Sequence, residues 1–550
     1  MKYVGITIGP IFKTIGEAIS PAGLWFGSYF FSTVTKKLCE KLVEIPTVKI
    51  FSPFYDSNSN QNPQEDGIGR YHDRILFLVD DNTVIEGELP SIISAVKKEM
   101  AEKFGKFKTD KEIMHFVDNY LRIDFVIFDK ETINETINET INETINETIN
   151  EIIGKSGKAG NNIAIILNDA LDALELMAAG KGRTDMNLFA PFFAGQKGNR
   201  NIYIKKSKLF TDTKPNSQLV IKHPDRDSDL KAIEDIALSR KKEENSSEEV
   251  PDGEVAPTRS EYYAVVNSDG DKVGTLLKAL CKDVEISEQS DRINIFSRAC
   301  LDYAGEAAKL VGKYGGMTIY AGGDDLLFIA PVHSLLSLCS ELDEMFKKTL
   351  KKGLEEVDLP DDSINVSLSF GVAVQYVKYP LYEALERARV QLYKAKESCG
   401  NRLGIELVKH SGKTVQLMIE NEKLDVIDHL INYRATTNDQ ALESVLYNLQ
   451  DTEIIFKLLF EKTAQDIFDF QEYKMRFLNN FNNPNQLSYH SYLNEIAKCF
   501  YDNYLKEYHK PDTKVKVDGI CTKRKMSIGE YYTKELQAIL FLVKFWQGGK

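Results

Sequence analysis

One stretch of the sequence, YAGGDDLLFIA at positions 320–330, constrains the fold more than any other. Two glycines and two aspartates interrupt an apolar run that otherwise has the pattern of a buried strand. Gly322 and Gly323 supply the backbone angles that a tight turn needs, so the run is predicted to fold as a β-hairpin. Asp324 and Asp325 then lie beside the turn, where two adjacent carboxylates repel each other unless a cation lies between them.

The sequence around this hairpin alternates strand and helix patterns in the order of an α+β palm. Residues 261–408 give the order β-αα-ββ-α-β-α-β, which is an embellished ferredoxin-like arrangement. The predicted elements are a strand at 261–266, two helices within 274–314, hairpin strands at 317–320 and 326–330, a helix at 332–357, a strand at 364–377, a helix at 380–398 and a strand at 403–408.

A second pair of aspartates follows the first strand of this palm. The strand runs into NSDGDKVG at 267–274, which contains Asp269, Gly270 and Asp271. The first strand and the hairpin are neighbours in a palm, so both carboxylate pairs are expected to converge at one edge of the sheet. An oxygen ligand set without histidine favours Mg²⁺ or Mn²⁺ over zinc, and two such ions can support phosphoryl or nucleotidyl transfer.

Composition divides the rest of the chain. An α+β pattern comes first and contains a perfect four-residue INET repeat that we interpret as an expanded insertion. The polar, charged and proline-containing stretch at 241–259 has too little apolar surface to fold by itself. The expected domains are 1–160 with the insertion at 132–152, a mainly helical domain at 161–240, a flexible linker at 241–259, the palm described above at 260–412, and a helical C-terminal domain at 413–550.

Charge and cysteine content narrow the class of protein. The net charge of -13 makes general nucleic-acid binding by the whole surface unfavourable, so any RNA contact must be local or shared with partner subunits. The seven cysteines are scattered singly, which argues against a disulfide framework or a cysteine zinc site. No signal peptide and no long apolar segment is evident, so we expect a cytoplasmic protein without a membrane anchor.

The motifs together resemble the polymerase-cyclase large subunit of type III CRISPR effector complexes, and most of all its Cmr-type (III-B) branch. The resemblance implies an α+β fold with two ferredoxin-like palm domains, of the nucleotide cyclase/polymerase kind, and helical domains between and after them. The matching stretches are IGPI at 8–11 and GLWFGSYFFS at 23–32 in a first, acceptor palm, and SDGD at 268–271, AGGDD at 321–325, SFGVA at 369–373, YPLYEALERA at 379–388 and AK at 395–396 in the second.

The resemblance also implies roles for individual residues. The alanine-lysine pair is similar to one in diguanylate cyclases, where the lysine binds the triphosphate; their following glycine-arginine pair is displaced here. The implied catalytic residues are Asp269, Asp324 and Asp325; the metal ligands are Asp269, Gly270, Asp271 and Asp324; and the nucleotide-binding residues are Ser28, Gly322, Gly323, Lys396 and Arg402.

The activity implied is target-RNA-activated, Mg- or Mn-dependent nucleotidyl transfer from ATP. Members of the family make cyclic oligoadenylates, and some Cmr-type members join AMP to S-adenosylmethionine. Phe12, Ile19 and Gly23 replace the glutamine, arginine and aspartate that are common on the acceptor helix, which is compatible with the second product. The partners implied are small helical and backbone subunits, guide RNA and target RNA.

Two departures and two alternatives remain. The chain starts at the first palm, so no HD nuclease is expected. His72-Asp73 has the same two residues as an HD motif, but no metal role is predicted for it. The family's usual cysteine zinc knuckle is absent. One alternative function is a catalytically silent large subunit that binds guide and target RNA, and the other is a free-standing GGDEF-like nucleotide cyclase.

Overall fold

The computed structural model of the protein describes residues 1–56, 67–105, 108–130, 162–179, 188–193, 202–212, 218–221, 229–239, 261–357, 359, 365–433, 438–481 and 487–547. The INET insertion predicted at 132–152 and the linker predicted at 241–259 lie outside these residues. Within them, no helix combines the length and the apolar composition that crossing a bilayer requires.

The first sheet has the strand order of a ferredoxin-like palm. Its strands are antiparallel in the order β2-β3-β1-β4, as expected for a β-α-β-β-α-β unit. The elements are β1 (Lys2–Gly9), α1 (Ile11–Ile15), α2 (Pro21–Leu42), β2 (Lys49–Ser52), β3 (Arg74–Val79), α3 (Ile85–Lys103), α4 (Asp110–Tyr120) and β4 (Arg122–Asp129). The first α+β segment is therefore a palm, as the sequence motifs implied.

The segment between the palms is mainly helical, and its first helix packs on the first sheet. Leu171 of that helix approaches Gly5 of β1 and lies in the same apolar core as Tyr3 and Val126. The elements are α5 (Ile163–Ala179), α6 (Ala190–Phe193), α7 (Ile202–Lys206), α8 (Lys208–Thr211), β5 (Val220–Ile221), β6 (Asp229–Leu230) and α9 (Ile233–Ala237).

The second sheet is a larger palm with strand order β12-β11-β10-β7-β9-β8. Only its β10–β11 pair is parallel, because α13 crosses over between those two strands. The elements are β7 (Tyr262–Asp271), α10 (Val273–Cys281), α11 (Ile286–Lys313), β8 (Met317–Gly322), β9 (Asp325–Pro331), α12 (Leu335–Gly353), β10 (Ser367–Tyr376), α13 (Leu381–Glu397), β11 (Arg402–Val408) and β12 (Thr414–Glu420).

Two boundaries in this palm differ from the sequence prediction. Strand β7 continues to Asp271 instead of ending near residue 266, because β10 pairs with it as far as Ser367 opposite Asp271. Strand β12 pairs with β11 beyond the domain boundary predicted at 412, so the sheet ends at Glu420. The sequence of β12 is predicted to belong to the helical C-terminal domain, and only its pairing with β11 defines it as a strand.

The C-terminal region is helical and packs on the second palm. Trp546 donates a hydrogen bond of 2.9 Å to the Val332 carbonyl, and the Phe545 ring meets the Tyr262 ring at 4.9 Å. The helices are α14 (Leu424–Asn432), α15 (Asn438–Asp451), α16 (Glu453–Ala464), α17 (Phe470–Leu478), α18 (Leu487–Phe500), α19 (Pro511–Arg524) and α20 (Ile528–Trp546).

The two palms meet along the edge strand β8. Gly69 of the first palm bridges to Tyr320, and the Ala321 amide donates to the Gly69 carbonyl at 2.9 Å. Ser28 of α2 donates through Oγ to the Ile319 carbonyl at 3.1 Å. These contacts cover an otherwise open strand edge and bring α2 beside the hairpin turn.

Candidate active site between the two palms

The turn between β8 and β9 has the sequence GGDD and needs its two glycines for different reasons. Gly323 has a φ of +67°, a left-handed conformation that favours glycine. Gly322 has no such angle, but a Cβ there would lie 2.6 Å from Cζ of the Tyr320 ring. The expectation that both glycines supply turn angles is therefore correct only for Gly323, and Gly322 is required for close packing.

Asp324 projects from this turn against the backbone of β7. A Cβ on Gly270 would lie 2.7 Å from Asp324 Oδ2, so the carboxylate rests directly on the Gly270 peptide. Burial, and after it the negative charge of Asp269, raise the pKa of Asp324 to about 6, against the opposing effect of backbone hydrogen bonds and Lys396. The aspartates of the turn and of β7 thus converge as the topology predicted.

Asp325 begins β9 and lines the open cavity between the palms. Its pKa is raised well above the ordinary value, first because protein surrounds the site and then because Asp324 and Asp269 are negative neighbours. Three carboxylates therefore lie within electrostatic reach of one another. Such a group is unfavourable when all three are ionised, and divalent cations are the usual compensation.

Lys396 at the end of α13 joins these carboxylates. Its Nζ forms an ion pair with Asp269 Oδ2 and donates to the Gly270 carbonyl at 3.3 Å. These two oxygen atoms belong to residues that the family resemblance implies as metal ligands. The lysine ammonium group therefore lies where a metal ion is expected to bind. Carboxylate and carbonyl oxygens without nitrogen or sulfur suit Mg²⁺ or Mn²⁺. The residues present therefore fit the metal that the fold family implies.

Asp271 does not join the other three aspartates. Its carboxylate accepts hydrogen bonds from the Ser367 and Ser369 hydroxyl groups at 3.0 and 2.9 Å and from the Asn401 amide at 2.7 Å. Gly400, with a φ of +71°, packs so closely that a Cβ would lie 2.6 Å from Asp271 Cγ. The Asp271 oxygens therefore hold the loop that follows Lys396, apart from the other three carboxylates, and the metal-ligand role of Asp271 stays a prediction.

A cavity of about 510 Å³ opens beside the carboxylates and is lined by both palms. Its volume is in the range of small-molecule sites, which is about 300 to 1,000 Å³. The first palm contributes hydroxyl groups, an aspartate and an apolar rim, and α13 contributes one arginine. The polar lining residues, tyrosines included, are Ser28, Ser32, Tyr71, Asp73, Asn267, Asp269, Tyr320, Asp325, Tyr382, Glu386 and Arg389.

The two remaining residues predicted to bind nucleotide lie in different places. Ser28 lines this cavity, and its nucleotide-binding role stays a prediction. Arg402 does not: it begins β11, pairs with Glu420 at 2.8 Å and lines a separate cavity with Lys423 and Glu535. The structure therefore does not bring Arg402 to the cavity between the palms, and its nucleotide-binding role stays a prediction.

Sequence reasoning missed Asp73, which also lines the cavity. Its negative charge is one of those that raise the pKa of Asp325, and burial raises its own pKa. Its neighbour His72 lies 4.0 Å from the Cβ position of Gly323, and burial followed by the charge of Arg74 lowers its pKa to about 4. The sequence alone does not indicate this position, because only the docking of the two palms brings the dipeptide to the site.

Comparison with known proteins finds relatives of both palms. Residues 262–404 match the family model described as Cas10/Cmr2, second palm domain, and residues 3–109 match the one described as CRISPR-associated protein Cmr2, N-terminal. The CRISPR system Cmr subunit Cmr2 of Pyrococcus furiosus is 33% identical over 171 residues, which cover 28% of this chain and 19% of that relative. The match thus spans about a fifth of the relative's length.

Solved structures that are similar to this chain include a Csm1-Csm4 cassette in complex with cA4. Its sequence identity is 12% and its TM-score is 0.47, and the similarity covers 99% of this chain and 70% of that chain. Another is a type III-B Cmr-beta complex in its apo state, at 11% identity, a TM-score of 0.46 and coverage of 83% and 75%.

The fold and the acidic site define a double-palm protein of the nucleotide cyclase/polymerase class. The matched domains are more specific. The first palm contains a match to the Cmr2 N-terminal domain and the second a match to the Cas10/Cmr2 second palm domain, so over these residues the chain is similar to the Cmr-type large subunits of type III CRISPR systems.

Proposed function

We propose that this chain is the large subunit of a type III CRISPR RNA-guided antiviral complex and that its second palm is a target-RNA-activated, Mg-dependent nucleotidyltransferase. It uses ATP to make an adenosine-based second messenger. The observation that carries the proposal is the convergence of Asp269, Asp324 and Asp325 beside Lys396, at the mouth of a cavity that both palms line.

The residues of this site have separable tasks in such a reaction. Asp269, Asp324 and the Gly270 carbonyl would hold Mg²⁺, which supplies charge neutralisation at the phosphates and lowers the pKa of an acceptor hydroxyl. Lys396 would exchange its ion pair with Asp269 for a phosphate oxygen. The acceptor oxygen forms a bond to the α-phosphorus, the bond to the β-phosphate oxygen breaks, and pyrophosphate leaves.

Asp325 and Asp73 face the cavity from opposite palms and are suited to the acceptor side. The acceptor hydroxyl must lose a proton as the new bond forms, and Asp325 has a raised pKa that suits a proton-accepting group. Ser28 and Ser32 add hydroxyl groups on the first-palm wall. The cavity therefore offers hydrogen-bonding groups to a nucleoside on that side.

The charge of the cavity favours one acceptor over another. Among the described residues, the first palm lines it with one carboxylate, Asp73, and with no lysine or arginine. A second ATP would bring a triphosphate that needs cations, whereas S-adenosylmethionine brings a positively charged sulfonium and an ammonium group. This charge balance supports S-adenosylmethionine as the acceptor of AMP, with cyclic oligoadenylate as the other candidate product.

The experiment is product analysis on the reconstituted complex with guide RNA, target RNA, ATP and Mg²⁺, with and without S-adenosylmethionine. We expect a target-dependent adenylylated product whose chromatographic position changes when the methyl donor is present. A product that is unchanged by S-adenosylmethionine and contains only adenylate units supports the cyclic oligoadenylate. Lack of any product in a fully assembled complex supports the silent structural subunit.

The isolated chain provides the test of the remaining alternative. A free-standing nucleotide cyclase would form its product without partner subunits or RNA. We expect the isolated chain to be inactive with ATP or GTP and to gain activity only in the complex.

A further inference from the structure

A cluster of histidine, glutamate and cysteine lies in the C-terminal helices, apart from the site between the palms. His429 is on α14, and Glu495 and Cys499 are on α18. His429 Nε2 lies 2.9 Å from Glu495 Oε1, and Cys499 Sγ lies 3.6 Å from the same oxygen. One possible ligand atom from each residue lies within 4.8 Å of the other two.

The two helices hold this arrangement through contacts that do not involve the cluster. Glu495 and Cys499 are four residues apart, so they share one face of α18. Near them, Tyr492 donates through its hydroxyl to the Leu430 carbonyl at 2.9 Å, and the Tyr433 and Tyr492 rings stack at 5.4 Å. The three side chains are therefore directed to one point by a packed helix crossing.

We propose that His429, Glu495 and Cys499 form a binding site for a zinc-like divalent cation. One imidazole nitrogen, one carboxylate oxygen and one thiolate make a ligand set that suits Zn²⁺ and is unsuitable for Mg²⁺. Zinc–ligand distances of about 2.0 to 2.3 Å place tetrahedral ligand atoms about 3.3 to 3.8 Å apart. The observed separations of 2.9 and 3.6 Å, both measured to Glu495 Oε1, are close to that range, and the histidine nitrogen and the cysteine sulfur lie within 4.8 Å of each other.

Solvent access and charge favour a cation at this point. The His429 side chain is 52% exposed, which leaves an open side for entry and for a water molecule as fourth ligand. Asp425 precedes His429 by one helical turn and is exposed on the same face of α14.

A bound ion would cross-link α14 to α18 and so stabilise the C-terminal helical region. A cation that binds the folded chain and not the unfolded one raises stability by linkage. The ligand set differs from the oxygen site between the palms, so the two sites can be separated by the choice of metal. This inference does not depend on the proposed nucleotidyltransferase activity.

The test is titration of the metal-free, full-length chain with Co²⁺, followed by displacement with Zn²⁺. Asp324→Asn/Asp325→Asn is the background, so that the carboxylates between the palms do not compete. We expect a thiolate-to-cobalt absorption band that saturates at one equivalent and disappears when Zn²⁺ is added. Cys499→Ser should abolish the band, and His429→Gln should weaken Co²⁺ binding by about tenfold or more.

Two matched controls keep the result specific. Cys399→Ser removes an exposed thiol elsewhere, and His509→Ala removes a histidine that pairs with Asp466 at 3.1 Å in the same C-terminal region. Both should leave the band and the affinity unchanged. The proposal is overturned if the background chain with His429, Glu495 and Cys499 intact lacks the band. It is also overturned if the band survives Cys499→Ser or is lost in Cys399→Ser. If Cys499→Ser does not fold, unchanged Co²⁺ affinity in folded His429→Gln overturns it equally.

Discussion

At the residue scale, the three neighbouring carboxylates predict that Mg²⁺ stabilises the protein. Because Asp269, Asp324 and Asp325 repel one another when ionised, Mg²⁺ should raise the melting temperature of the chain. An ion present at about a hundred times its Kd stabilises by about 2.7 kcal/mol. Asp324→Asn/Asp325→Asn should melt higher than wild type without Mg²⁺ and should lose the response to Mg²⁺.

Calorimetry in Ca²⁺-free buffer with and without Mg²⁺ measures this difference. Asp302→Asn is the control, since this exposed carboxylate on α11 is outside the cavity lining. An equal Mg²⁺ response in wild type and in the double variant would contradict the assignment of these residues as ligands.

Asp271 should behave differently from Asp269, Asp324 and Asp325. Alanine at this position leaves the Ser367 and Ser369 hydroxyl groups and the Asn401 amide without their acceptor. We expect Asp271→Ala to lower the free energy of unfolding by about 3 kcal/mol while the Mg²⁺-induced rise in melting temperature persists. Denaturant unfolding with and without Mg²⁺ checks both effects, and loss of the Mg²⁺ response with unchanged stability would return Asp271 to the ligand set.

At the element scale, the position of Lys396 depends on how closely α13 packs on β10. A Cβ on Gly371 would lie 2.6 Å from Leu392 Cβ and even closer to the backbone of α13. Gly371→Ala should therefore push the helix away, lower the free energy of unfolding by about 1 to 3 kcal/mol and reduce nucleotidyl transfer. Gly274→Ala is the matched control, because nothing lies within 4 Å of a Cβ there.

Unfolding curves and product yield for the two alanine variants check this prediction. Equal stability of Gly371→Ala and wild type would show that α13 can move without cost. In that case the glycine of the SFGVA motif would need another explanation.

The contact of α20 with the end of the second sheet gives a pH-dependent stability. Burial raises the pKa of Glu535 from 4.5 to about 7, while Lys423 and Arg402 oppose the shift. The folded chain then binds more protons than the unfolded chain between these values, so stability falls as the pH rises from about 4.5 to about 7.

Glu535→Gln removes this titration, so its stability relative to wild type should increase across that interval and remain constant at higher pH. Melting temperatures of both proteins at a series of pH values measure the difference. A constant difference from pH 4.5 to pH 8 would contradict the raised pKa.

Particular elements also show what the sequence could and could not predict. The GGDD turn and the order of the second palm were predictable, because turn chemistry and hydrophobic periodicity are local properties. The extension of β7, the addition of β12 and the separation of Arg402 from the site were not, because each depends on which strand pairs with which. Asp271 resembles Asp269 in sequence, but it is buried and accepts hydrogen bonds from hydroxyl groups and an amide, whereas Asp269 is partly exposed and pairs with Lys396.

At the scale of the whole molecule, the site belongs to two palms and not to one. Ser28, Tyr71 and Asp73 come from the first palm, and the carboxylates and Lys396 come from the second. The contact of Gly69 with β8 fixes their relative position. Asp73 could not be recognised from its own sequence context because its proximity to Asp325 arises only from this docking.

This arrangement predicts a role for Asp73 in the acceptor step. Asp73→Asn keeps the size of the side chain and removes its charge from the first-palm wall of the cavity. We expect the KM for the acceptor to rise by about tenfold with little change in the KM for ATP as donor. Steady-state kinetics of the reconstituted complex measure both constants, and an equal change in the two would place Asp73 on the donor side instead.

The central claim, that the converging carboxylates of the second palm perform nucleotidyl transfer, is tested most directly by pyrophosphate release. The measurement compares the target-RNA-bound complex containing the wild-type chain with one containing Asp324→Ala/Asp325→Ala, after both are shown to be fully assembled. We predict Mg-dependent release of pyrophosphate from ATP by the first and a loss of at least about a thousandfold in the second. Equal release by both complexes, or loss of assembly in the variant, would contradict the account.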